Sequence, residues 1–304
     1  MAIESVEPSE RARALVVGGF DLHTHIGPDV MKRRIEDVDL ARRFAEAGLA
    51  GFALKSHYTS TAERATVVGR VVPGVRVIGT LTLNAAVGGM NALAVEIAAR
   101  EGARIVWMPT VDSPAETAGR VAPAPGQHVP LWARLQHELR DAGLAIEPVA
   151  VADASGVLPR TREVLRTIAR HGLVVATAHL GRDDTFAVVE AAFEEGVEQV
   201  VVTHPEFTCQ NFSIEDQVAL VERGCLIERC LSTPLSGKTT FEHVFDGVRA
   251  VGLEHNYFSS DFGNPEYPPV EEGLAIWAEK LLGAGFGDDE IRAMIVDGSR
   301  RVAG

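Results

Sequence analysis

Hydrophobic residues in this chain fall into short aliphatic runs, separated by longer stretches in which they recur at helical spacing. Ala14-Leu15-Val16-Val17 leads into Phe20-Asp21-Leu22-His23-Thr24-His25, a strand predicted over 16–25, behind a polar segment 1–13 that reads as a tail or a short leading helix. A helix is predicted over 35–45, with Gly48 where a C-terminal cap belongs. Strands two, three and four follow at 50–57, 75–81 and 104–110, with helices between them, one over 91–100.

The alternation then breaks. Residues 111–130 carry Pro114, Pro123, Pro125 and Pro130 and are too long for an ordinary connection. With a helix over 131–141, an apolar run at 144–149 and a returning arm at 156–158, the stretch 111–159 reads as an insertion, or lid, over one mouth of the fold. Regular alternation resumes with strands at 173–179, 198–204, 225–228 and 255–261 and helices over 160–171, 183–195, 214–223 and 241–251. Helices over 274–282 and 288–296 close the chain. Eight such strands predict one α/β domain spanning 1–304, a (β/α)8 TIM barrel with its insertion between strands four and five. A doubly wound sheet would carry a Gly-rich turn after strand one, where this chain has His25-Ile26-Gly27-Pro28.

Composition narrows the class. At 304 residues, 46% of them hydrophobic, the chain can build a large core. It has no apolar run long enough for a membrane span, so no membrane partner is expected. A net charge of −13 disfavours a nucleic-acid partner, which needs clustered Lys and Arg. Cys209, Cys225 and Cys230 form no CxxC pair and read as reduced thiols, and the acidic start lacks an apolar signal core, so a cytoplasmic protein is expected. A homo-oligomer is compatible with all of this.

Chemistry gathers at the predicted strand ends, where a barrel of this kind carries its functional groups. His23 and His25 share one face of strand one by its two-residue period. Lys55 and His57 end strand two, His179 strand five, His204 strand six and Asp261 strand eight. Any one of these histidines is explained by a bond to a loop carbonyl, but four separate strand ends are not. Imidazoles with a carboxylate suit Zn²⁺ first, and also Mn²⁺, Fe²⁺, Co²⁺ or Ni²⁺. A metal with an open position lowers the pKa of bound water toward about 7, giving a hydroxide nucleophile, and Asp261 is the candidate catalytic proton acceptor.

These pieces, Asp21-Leu22-His23-Thr24-His25, Ala178-His179, Thr203-His204-Pro205 and Ser260-Asp261, make the chain resemble the amidohydrolase superfamily of metal-dependent hydrolases, in a compact branch without the small β-sandwich domain. The resemblance implies that His23, His25 and Asp261 hold one divalent metal and that His179 and His204 hold a second or assist the first. Two-metal members carry a bridging glutamate or carboxylated lysine after strand four, where this chain has Trp107-Met108-Pro109-Thr110. One ion or two therefore remain open. Lys55 either bridges two ions as a carboxylated lysine or stays an ammonium that meets an anion or Asp261.

His57 reads as a substrate-binding group, with ligand and loop roles as alternatives. Glu228 reads as a substrate-side group, an orienting partner of a ligand histidine, or a member of a buried salt bridge, and Arg229 as a structural pair. His128, His137, His171 and His243 suit solvated or capping roles, and Trp107, Trp132 and Trp277 core or interface positions. The expected activity is hydrolysis of an ester, lactone or amide bond of a small-molecule substrate. A metal-dependent decarboxylase or lyase on the same barrel, and a non-catalytic metal- or ligand-binding protein, are the alternatives.

Overall fold

The computed structural model describes residues 7–118, 131–144 and 146–304. Eight parallel strands form its main sheet: β1 Phe20–Thr24, β2 Gly51–Leu54, β3 Arg76–Thr82, β4 Ala103–Trp107, β5 Val174–Ala176, β6 Val200–Thr203, β7 Leu226–Cys230 and β8 Asn256–Ser259. Each pairs with the next in chain order. β8 continues past its own end to meet β1, through a parallel bridge between Thr24 and Phe262. The N–H of Asp261 donates to the carbonyl of His23 at 2.8 Å, and that of His25 to the carbonyl of Phe262 at 2.7 Å. The sheet is thereby closed into the (β/α)8 barrel that eight βα repeats imply. Among the described residues no helix is long and apolar enough to cross a membrane.

The helices form because their apolar positions repeat along one face. Pro159–Arg170 is typical: Pro159 stands in its first turn, and Val164, Leu165 and Ile168 are fully buried against the sheet. Asp37–Glu46 buries Leu40, Ala41 and Phe44, and Gly48 follows it with φ +69, a left-handed conformation that suits glycine. Buried apolar residues form two large clusters, one holding Trp107 and the other Trp277 with Phe44, Phe52 and Phe258.

The structure settles two segments that the sequence left open and moves two boundaries. The leading segment is a helix, Glu10–Leu15, capped by the Ser9 side chain on the N–H of Ala12. Val16 and Val17 belong to the turn after it rather than to β1, because Gly18 at φ +82 redirects the chain before the strand begins. The apolar run at 144–149 forms no strand among its described residues, and the returning arm is met by Ala152–Asp153 and Gly156–Val157, paired as an antiparallel ribbon. The last predicted helix is broken: Asp288–Arg292 passes into a π-helical turn, Ala293–Gly298, before Ser299–Ala303.

Predicted strands also run past the real ones at their C-terminal ends. Ala178, His204 and Asp261 have φ of +55, +27 and +55. Backbone of this kind costs roughly 1–3 kcal/mol per residue and ends a strand whatever its side chains favour. The segment between β4 and β5 holds the helices Pro114–Ala118 and Leu131–Asp141, the ribbon and Pro159–Arg170.

Arg229, on the face of β7 opposite to Glu228, is fully enclosed and bound by Glu206, by Gln217 Oε1 at 2.7 Å and by Asn256 Oδ1 at 2.9 Å. This is the structural pairing expected of it. Removing one partner of a buried ion pair leaves the other charge uncompensated, so Glu206→Ala should cost about 3–5 kcal/mol of stability. Chemical denaturation of both proteins measures it, and a change below about 1 kcal/mol would mean that Gln217 and Asn256 suffice for the guanidinium.

Candidate metal centre at the barrel mouth

The period of β1 turns Asp21, His23 and His25 to one side of the strand. Asp21 Oδ1 accepts from the N–H groups of Ser260 (3.0 Å) and His23 (3.2 Å), a further tie across the β1–β8 seam. Above it, His23 Nε2 lies 3.1 Å and His25 Nε2 3.2 Å from the same Asp261 oxygen, Oδ1. The other oxygen, Oδ2, accepts from Ser232 Oγ at 2.6 Å. The donor atoms of His23, His25 and Asp261 all lie within 4.8 Å of one another.

Around this triad five imidazoles close a circuit. Ring centroids are 5.4 Å apart for His23–His25, 4.7 Å for His25–His57 and 6.5 Å for His57–His179. They are 5.1 Å apart for His179–His204 and 5.8 Å for His204–His23. All five residues are buried.

Every ring but that of His25, whose Nδ1 has no hydrogen-bond partner among the described residues, is held by a partner on Nδ1 or packed by an aromatic wall. Nδ1 of His179 meets Glu116 Oε2 at 3.2 Å and Nδ1 of His204 meets Gln210 Oε1 at 2.8 Å, which leaves Nε2 as the lone-pair nitrogen of each. His57 Nδ1 meets Thr110 Oγ1 at 2.9 Å. Glu228 Oε2 stands 3.3 Å and Cys230 Sγ 3.4 Å from His23 Nδ1. Trp107 packs 4.6 Å from the His23 ring, and Phe207 packs 5.0 Å from His179 and 4.8 Å from His204. Lys55, itself buried, places Nζ 2.9 Å from His23 Nε2 and 4.0 Å from the centre of the Trp107 ring.

Electrostatics leave the site in a ligating state. Burial pushes His25 down to about 3, His179 below its ordinary value and His57 and His204 well below it, so these imidazoles are neutral. For His23, burial and Lys55 act in the same downward direction, but Asp261 and Glu228 outweigh them and its pKa is raised. Burial would raise Asp261, yet His23 and His25 overcome it and hold the carboxyl well below its ordinary range. Burial lowers the Lys55 ammonium and raises the Cys230 thiol.

The donor chemistry fits a divalent cation: two imidazole nitrogens and an ionised carboxylate converge at a spacing that one ion can span, and the outer imidazoles His179 and His204 have a partner on the far nitrogen.

The structure brings together all eight residues singled out in the sequence: His23, His25, Lys55, His57, His179, His204, Glu228 and Asp261. Glu228 is fully enclosed on Nδ1 of His23, the nitrogen away from Asp261, which is the geometry of an orienting partner. His171 lies outside the site, with Nε2 2.7 Å from Glu96 at the surface. His137 and His243 sit on the helices Leu131–Asp141 and Phe241–Val251. Trp107 and Trp277 are fully buried, whereas His128 and the Trp132 side chain lie outside the described residues.

Glu116, Gln210 and Ser232 were not foreseen, because βα loops have no period that assigns a side chain to the mouth. Cys230, expected only as a reduced thiol, was missed too, although it shares the parity of Glu228.

Residues 18–228 match a family model described as a family of unknown function, DUF6282, so that Asp261 lies beyond the matched span. No curated protein matches the sequence. Three solved structures are similar in fold. An amidohydrolase from Pseudomonas aeruginosa has 13% identity and a TM-score of 0.60, with 98% of each chain covered. The probable dipeptidase PvdM of the same organism has 13% identity and a TM-score of 0.63, with 96% of each covered. Dipeptidase AC, a metallopeptidase, has 11% identity and a TM-score of 0.60, covering 94% of this chain and 98% of its own.

Burial pushes Asp21 up to about 7, against hydrogen bonds from Ser260 and His23 that act the other way. A carboxyl whose folded pKa lies above its unfolded 3.8 takes up a proton on folding between those values. Its contribution to stability is therefore full below about pH 4 and lost as the pH rises through about 7. Asp21→Asn should flatten the decline in stability of the chelated protein across that window. Parallel slopes for the two proteins between pH 4 and 7 would show that Asp21 is ionised throughout.

Proposed function

The chain belongs to the DUF6282 family, and from that premise we propose that its barrel mouth is the active site of a metal-dependent hydrolase acting on an ester, lactone or amide bond of a small molecule. One observation carries the reading: two neighbouring imidazoles of β1 converge on a single oxygen of Asp261, inside a closed circuit of five. The similar solved structures, an amidohydrolase, a probable dipeptidase and a metallopeptidase, support the same chemistry.

His23, His25 and Asp261 would hold one cation, with Zn²⁺ first for this donor set, and His179 and His204 would complete it or hold a second through Nε2. Such a cation, when bound, supplies Lewis acidity and lowers the pKa of water in the site. Asp261 Oδ1 accepts the proton released there and returns it to the leaving group, while Ser232 keeps the other oxygen in place. Glu228 fixes the plane of His23. His57, tied at Nδ1 by Thr110, offers Nε2 to the substrate.

Lys55, in a carboxylated form, would help to hold a second cation, since burial favours the neutral amine that reacts with CO₂. The 111–159 segment acts as lid and specificity element, because it supplies Glu116 to His179 and brings the buried Gln136 to the side of Tyr58. The single domain acts in the cytoplasm.

Protein purified without chelator should carry at least one transition-metal ion per chain by elemental analysis. Chelation should abolish hydrolysis across a panel of aryl esters, lactones and dipeptides, and added Zn²⁺ or Mn²⁺ should restore it. Asp261→Asn should lower kcat on the order of 10²–10⁴-fold with the fold intact by circular dichroism. Hydrolysis that survives chelation, or CO₂ release without incorporation of solvent oxygen, would overturn the assignment.

A further inference from the structure

The far side of His179 carries a second set of donors. Glu116 stands on the helix Pro114–Ala118 after β4, His179 in the turn after β5 and Cys209 in the turn after β6. A carboxylate oxygen, an imidazole nitrogen and the thiol sulfur of these three lie within 4.8 Å of one another. Nδ1 of His179 is 3.2 Å from Glu116 Oε2, and the two side chains are 7% and 10% exposed. The main chain ties the three connections together, because the carbonyl of His179 accepts from Ser113 Oγ at 2.8 Å and from Cys209 Sγ at 3.9 Å. Cys209 is half-buried and gives the cluster a face toward solvent, whereas Cys225 and Cys230 are buried.

Orienting His179 needs the carboxylate alone; a thiol beside the pair adds a soft ligand. Tetrahedral ligation at about 2.0–2.3 Å sets ligand atoms roughly 3–4 Å apart. The Glu116–His179 pair already has that spacing, and the thiol reaches it by a shift on the order of 1 Å. A thiolate and a carboxylate together offset both charges of a dication, and sulfur selects Zn²⁺ over Mn²⁺ or Mg²⁺. Three protein donors leave a fourth position to water, which makes this an open site rather than a closed structural one.

We propose that Glu116, Cys209 and Nδ1 of His179 form an outer Zn²⁺ site that competes with the barrel-mouth centre for His179. As the ion enters, the thiol proton leaves to solvent, and the proton that Nδ1 shares with Glu116 passes to Nε2. An imidazole protonated at Nε2 has no lone pair there for the inner ion, so excess Zn²⁺ inhibits. The outer site stands on its own geometry, and only the inhibition rests on the hydrolase reading.

The test is titration of Co²⁺, and separately of Zn²⁺, into the metal-loaded protein. Co²⁺ should add a near-ultraviolet thiolate-to-metal charge-transfer band, which Zn²⁺ abolishes and Mn²⁺ does not. Cys209→Ala should remove the band and weaken binding of the added ion by at least the roughly 10–100-fold that loss of an outer-shell partner costs. Cys225→Ala should leave both unchanged. Glu116→Gln, which keeps an acceptor for His179, should weaken binding in the same direction and decides the matter should Cys209→Ala fold poorly. Over the same range of Zn²⁺, hydrolysis should fall in wild type and persist in Cys209→Ala. No band, a band that survives in Cys209→Ala, or one lost in Cys230→Ala instead overturns the proposal. So does an active wild type that excess Zn²⁺ leaves uninhibited, or inhibits as strongly as it does Cys209→Ala. A Cys209-dependent band without turnover would refute the hydrolase reading alone and leave the outer site standing.

Discussion

The last seam of the barrel and its candidate metal centre are one set of atoms. β1 and β8 come from opposite ends of the chain, and their backbones meet through the N–H of Asp261 on the carbonyl of His23 and the N–H of His25 on that of Phe262. Asp21 adds a side-chain tie to Ser260 one step lower. The residues whose main chain closes the sheet therefore carry the three donor side chains. Their separation is set by hydrogen-bond length, and a barrel that failed to close would lose the ligand geometry with it. Gly263 completes the arrangement: at φ +140 it passes so close to the carbonyl of His25 that any β-carbon there would collide with it.

Burial then does the chemical selection. Enclosure keeps four of the five imidazoles neutral, which is the form that ligates, and the two β1 imidazoles keep Asp261 ionised against the same enclosure. On the other face of β7 the opposite solution appears: Arg229 stays enclosed because Glu206, Gln217 and Asn256 surround it. Neighbouring residues of one strand, Glu228 and Arg229, thus serve site and scaffold separately, divided only by the pleat.

That pleat is why so much was legible in the sequence. His23 with His25 and Lys55 with His57 follow from a period of two, and the histidines of later strands announce themselves by following aliphatic runs. What escaped lies where no period operates. Glu116 and Ser232 stand in short helices, and Gln210 in a turn, of the connections between strands and helices, whose course depends on packing. Strand limits were blurred for a related reason: hydrophobic runs say nothing of the positive φ at Ala178, His204 and Asp261 that ends the strands. The described residues of the apolar run at 144–149 form no strand, since the closed sheet has no free edge to receive one.

On the proposed reading, the end of β4 bears on how many cations the mouth would hold. Where the resembling two-metal hydrolases carry a bridging anion, Trp107 packs against His23 and against the Lys55 ammonium group. The carboxyl groups on the His23 ring belong to Asp261 and Glu228. With Lys55 as an ammonium, one dication beside these two carboxylates would leave the set with about one net positive charge, and a second would add two more in a low-dielectric enclosure. Carboxylation of Lys55 changes the sign of that residue and makes room for the second ion at the same overall charge. On the proposed reading, the state of one nitrogen on β2 and the number of bound ions are therefore linked, and a second ion beside an unmodified Lys55 would carry the larger electrostatic cost.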